Sequence, residues 1–78
     1  MKQPKKSIRE IDVHLAGGRQ LTFEAREYTG WLDYTVSSDG WFSVVAKREV
    51  PNTIESRILL SVAPSGLVAF HIHYAGEL

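Results

Sequence analysis

The sequence predicts an all-β protein, a small antiparallel six-stranded meander forming a strongly curved sheet or a small barrel. Three observations predict it. Apolar residues recur at every second position in six short runs, the period of a strand with one buried face. Glycine, proline, asparagine and aspartate punctuate the gaps between those runs. The gaps are only a few residues long, whereas a parallel pair needs a crossover of about a dozen or more, so neighbours should run antiparallel.

Residues 1–7 carry Pro4 and three lysines without periodicity and read as a flexible basic arm; residues 8–78 read as a single β domain. In the first strand Ile11, Val13 and Leu15 alternate with Asp12 and His14. Ile8 has the opposite parity, which marks a bulge or a short lead-in. Gly17 and Gly18 turn the chain, and Leu21, Phe23 and Ala25 alternate with Thr22, Glu24 and Arg26 in a second strand. A helical reading competes over residues 22–28, because Leu21, Ala25 and Tyr28 also fit a 3.6-residue period. The two glycines just before favour the strand.

Residues 31–50 form the central hairpin. Leu32, Tyr34 and Val36 claim one face of the third strand, and Phe42, Val44 and Ala46 one face of the fourth. Between them Asp39 and Gly40 give a strong hairpin signal, since glycine supplies the positive φ of such turns. Pro51 and Asn52 make the next turn. Ile54, Ile58, Leu60 and Val62 then share one face of a fifth strand, with Glu55, Arg57 and Ser61 opposite. A turn at residues 63–66 leads to the sixth, with Val68, Phe70, Ile72 and Tyr74 inside and His71 and His73 outside.

This pattern assigns a core to Ile11, Val13, Leu15, Leu21, Phe23, Leu32, Tyr34, Val36, Phe42, Val44, Ala46, Ile58, Leu60, Val62, Phe70 and Ile72. At about 1.5–3 kcal/mol for each large side chain fully buried, such a core can offset the ordering entropy of a short chain. Seventy-eight residues lie near the lower end of what folds unaided, so the stability margin is thin and association with a partner would widen it. The hydrophobic fraction of 44% is too high for a disordered chain.

Several functional classes have little support. There is no cysteine, which excludes disulfides, cysteine-ligated zinc and iron–sulfur clusters. Neither a nucleophile elbow nor a glycine-rich phosphate loop leading into a helix is present, so no enzyme activity and no cofactor are expected. No run approaches the ~20 apolar residues of a membrane-spanning helix, and no signal-peptide core is seen, so a cytoplasmic location without membrane partners is expected.

Three partner classes remain. The first is protein. By strand parity Trp31, Trp41, Val45 and Leu59 fall on the face opposite the core, with Leu67 and Ala69, leaving a second apolar surface to be covered by a partner or by a second copy. The competing reading folds the sheet over and buries both tryptophans. The favoured expectation is a non-enzymatic, regulatory interaction module that forms a homodimer, with Trp31 and Trp41 flanking one turn region.

The second class is nucleic acid. Lys2, Lys5, Lys6 and Arg9 put four positive charges in the first nine residues, while the rest of the chain is net −4. Such an arm could hold a phosphate backbone with the tryptophans as stacking platforms, or serve only as a solvated tail. The third is a metal ion. His71 and His73, two apart on a strand, point to one side, and His14 shares that side by parity. Three imidazoles could converge if the first and sixth strands are neighbours, with Asp12 or Glu77 as a carboxylate alternative. An ordinary polar outer face explains the same spacing.

Overall fold

The computed structural model describes residues 7–76; Lys2, Lys5, Lys6 and Glu77 lie outside the described residues, as does nearly all of the expected arm. The fold is all-β. Its strands are β1 (Ile8–Leu15), β2 (Gln20–Glu24), β3 (Trp31–Val36), β4 (Phe42–Val50), β5 (Thr53–Val62) and β6 (Leu67–Tyr74). They form two three-stranded sheets, ordered β2-β1-β6 and β3-β4-β5, with every pair antiparallel.

Chain order still runs around the molecule as in a meander, and β1 pairs with β6 to join its ends. The hydrogen-bonded ladder is interrupted between β2 and β3 and between β5 and β6, so the sheets do not close into a barrel. Each interruption coincides with a 3-10 turn, Ala25–Glu27 or Pro64–Gly66, which carries the chain from one sheet to the other. The competition between strand and helix in the second segment therefore resolves as a strand through Glu24 followed by one tight turn.

Within the sheets the predicted hairpins form. Gly40 adopts a φ of 90°, and the turn around it is closed by Ser37, whose N–H donates to the Trp41 carbonyl at 2.9 Å. The Ser37 hydroxyl donates to Asp39 at 2.6 Å and accepts from the Trp41 N–H at 3.0 Å. At the other end of β3, Gly30 lies so close to the Lys47 carbonyl and Arg48 that a Cβ could not fit.

The core lies between the sheets. Ile11 and Val13 from one sheet and Phe42 and Val44 from the other are fully shielded from solvent, with Leu32 beside them. Phe42 stacks on Phe70 across the interface at 4.4 Å between ring centroids, and Tyr34 lies 5.8 Å from Phe70.

Most of the predicted core is found there, and several of the exceptions share a cause. Three β-bulges each insert one residue and reverse strand parity beyond it. In β1, Ile8 pairs with Tyr74 and Glu10 with His73, so Arg9 is the extra residue and Ile8 is buried. In β6, Leu15 pairs with Leu67 and His14 with Ala69, so Val68 is extra. Leu67 packs on the core, and Val68, predicted inside, is 69% exposed. In β5, Val44 pairs with Leu60 and Val45 with Ile58, so Leu59 is extra. Ile54 and Ile58, both read as inward-facing, are exposed for that reason. Val36 is also exposed: it is the last residue of β3, although its paired neighbour Phe42 is buried.

Candidate functional site

The register of β3, β4 and β5 fixes what their outer face presents. Trp31, Asp33 and Thr35 pair with Lys47, Val45 and Ser43, and these three are the outward positions of β4. Below the Leu59 bulge, Ile58 pairs with Val45, Ser56 with Lys47 and Ile54 with Glu49, which brings both isoleucines to the same outer side. The result is an apolar stripe of Trp31, Val45, Ile58 and Ile54. Trp31, Ile54 and Ile58 are 37%, 53% and 65% exposed, while Val45 on the central strand is only 6% exposed. Beside it Lys47 donates to Asp33 at 3.1 Å, and the other Asp33 oxygen accepts from the Tyr34 N–H.

This arrangement corrects parts of the sequence reading. Val45 has the predicted parity but is buried, because a central-strand side chain is covered by its neighbours from both sides. Leu59 is not on the outer face; as the bulge residue it is half-buried and packs against the core. Trp31 and Trp41 are both exposed, as expected. They do not flank one turn: Trp31 opens β3 opposite Lys47, whereas Trp41 sits at the Gly40 turn beside Ser37, at the other end of the hairpin. Sequence reasoning missed Ile54 and Ile58, since no residue at or around Leu59 announces the bulge.

Residues 51–58 are exposed without a break, so the lower half of β5 forms an accessible sheet edge. Its other side is polar. Arg48 donates to Glu55 at 2.6 Å, and Arg57 pairs with Ala46. Glu27, Tyr28, Gly30, Lys47, Arg48 and Arg57 are among the residues lining a groove of about 520 Å³ there.

The outer face of the β2-β1-β6 sheet gathers the titratable groups. Because β1 and β6 are neighbours, His14, His71 and His73 do share one face: the His14 and His71 rings meet edge-on at 6.2 Å, and the His71 and His73 rings lie 6.3 Å apart. Their ligand atoms are not what converges. The groups that do, with one ligand atom from each within 4.8 Å of the others, are Glu10, Asp12 and His73. Asp12 is the hub, accepting from the Thr22 hydroxyl at 2.9 Å and lying 3.0 Å from His73 Nε2. Of the expected ligand sets, the one with Asp12 as the carboxylate is the one brought together at His73, with Glu10 added and His14 and His71 alongside.

The two carboxylates titrate in opposite directions. Hydrogen bonding to Asp12 is the main cause that raises the Glu10 pKa, aided by desolvation and by the Asp12 charge, against weaker opposition from His73 and Arg9. Partial burial acts to raise Asp12, but hydrogen bonds from Thr22, His73 and Glu10 outweigh it and hold Asp12 below the ordinary carboxylate value. Arg9, assigned to a nucleic-acid surface, is the exposed bulge residue of β1 and lies 3.6 Å from Glu10.

Among the described residues no helix is long and apolar enough to cross a membrane. The chain matches no family model, no curated protein and no solved structure.

Proposed function

We propose that this protein is a non-enzymatic interaction module that works by self-association through the outer face of the β3-β4-β5 sheet. The observation that carries the reading is the stripe of Trp31, Ile58 and Ile54 around buried Val45, on a face with no second layer among the described residues. Large apolar groups left in water on one sheet face gain from burial against another protein surface, and tryptophan is enriched among the side chains that dominate binding energy. Trp41 extends the surface toward the Gly40 turn. In light scattering the full chain is expected to exceed monomer mass, and Trp31→Ala to lower that mass while circular dichroism stays β-type. A protein that is monomeric at every accessible concentration would end this reading.

One observation favours a second reading, the binding of a divalent cation. Glu10, Asp12 and His73 bring two carboxylate oxygens and an imidazole nitrogen together, a donor set suited to Zn²⁺. Excess Zn²⁺ should then raise Tm in the wild type and not in Asp12→Asn. An unchanged wild-type Tm removes the cation.

A further inference from the structure

The lower half of β5 combines three properties that bear on what self-association would pair. It is an edge strand, since the sheet order ends β3-β4-β5. Every residue from Thr53 to Ile58 is exposed, and it lies on the regular side of the Leu59 bulge, where the ladder with β4 is unbroken down to Val50. It carries none of the lysines or prolines that usually blunt an exposed edge, Pro51 lying in the preceding turn.

Its sequence is also self-complementary. In Ile54, Glu55, Ser56, Arg57 and Ile58 the residue classes read apolar, acidic, small polar, basic, apolar. Antiparallel pairing of two copies about Ser56 sets Ile54 of each against Ile58 of the other, Glu55 against Arg57 twice, and Ser56 against Ser56. Strand alternation puts the isoleucines and serines on the outer side and the charged pairs on the groove side. A shift by one residue would bring Glu55 opposite Ser56 and Ile54 opposite Arg57, losing both ion pairs and both apolar pairs.

We infer that two copies of this chain join edge to edge through antiparallel pairing of β5 about a two-fold axis at Ser56, making one six-stranded sheet. The inference rests on the self-association proposed above and adds to its outer-face contact an edge contact with a fixed register. It also makes the two outer stripes of Trp31, Val45, Ile58 and Ile54 continuous across the axis. A two-fold interface uses the same patch on both copies, as a self-complementary strand does. Cross-strand opposite charges are favourable and like charges facing each other are not. Glu55 already meets Arg48 in its own chain, so pairing would set it between two guanidinium groups, Arg48 of its own copy and Arg57 of the other.

Charge reversal tests the register on the full chain. Arg57→Glu puts glutamate against glutamate at both symmetric positions, and Glu55→Arg puts arginine against arginine. Each single variant should weaken the dimer at least tenfold in sedimentation equilibrium, and the double variant should restore it, because each copy then offers the swapped pair. Circular dichroism checks that the variants stay folded, which the exposure of both positions favours. As an independent probe, Ser56→Cys provides the chain's one thiol. Directly opposed Cα atoms at about 4.5–5.5 Å lie within disulfide range, so mild oxidation should yield a covalent dimer in high yield. A wild-type dimer that ignores the single reversals, or is weakened by them without rescue, overturns this register and leaves self-association standing. A monomeric wild type overturns both.

Discussion

Asp12 and Glu10 make the pH response of this domain a matter of two adjacent carboxyl groups. Asp12 is held below its ordinary value of 3.8, so its contribution to stability is present above that pH and is lost as pH falls through the depressed value. Glu10 is raised above 4.5, so the stability linked to its protonated form is present below 4.5 and is lost as pH rises through the raised value. At pH 7 Glu10→Gln should therefore raise Tm, because the amide can still donate to Asp12 without a second negative charge. The gain should shrink to nothing below about pH 4, where Glu10 is already protonated. A Glu10→Gln variant no more stable than wild type at pH 7 would contradict the assigned cause. Trp41→Ala tests another single residue. The residue is 45% exposed, so truncation should cost about 1 kcal/mol or less in urea denaturation. Phe42→Ala should instead cost about 3–5 kcal/mol, enough to unfold so small a domain.

At the scale of single elements, the turns and the bulges behave differently. Turns at Gly17, Gly40 and Asn52 adopt the positive φ that their residue types suit, and they were legible in the sequence for that reason. Gly30 is a different case, needed for close approach to the β4 backbone at Lys47 rather than for its φ. Gly30→Ala should force β3 and β4 apart at their Trp31 end and cost about 1–3 kcal/mol or more, read as a lower urea midpoint. The bulge at Arg9 did leave a mark, the opposite parity of Ile8, whereas those at Leu59 and Val68 left none. Each is a local slip of register against the neighbouring strand, and the residue types at the extra position are ordinary for strands. Parity counting was right up to each bulge and reversed beyond it, which is why Ile58, Leu59, Leu67 and Val68 were exchanged between faces. The same miscount hid the candidate site, because Ile58 was assigned to the core and Ile54 to the same face of β5.

On the scale of the whole molecule, two three-stranded sheets with a shared aromatic contact of Phe42, Phe70 and Tyr34 form a thin sandwich with four strand edges. Far-UV circular dichroism should show a β-type spectrum; a helical content above about a quarter of the chain would contradict the fold. The nucleic-acid alternative also belongs to this scale. Binding through Lys2, Lys5 and Lys6 would weaken steeply with salt and vanish on deletion of residues 1–7. Failure of the full chain to retard DNA or RNA even at low ionic strength would remove it.

By itself the sequence determined the strand content, the antiparallel sense, the turn positions and the central members of the core, because each follows from local periodicity and backbone preference over short stretches of chain. Only the tertiary structure decided that the meander splits into two sheets at Ala25–Glu27 and Pro64–Gly66, that β1 lies beside β6, and where the ladders bulge. Those features depend on residues as far apart as Asp12 and His73, and on how two twisted ladders fit one core. Hence the aromatic residues were recognised as exposed candidates from sequence, as was Asp12 as a partner for the histidines, while the isoleucines beside Trp31 and Glu10 beside His73 were placed by the fold.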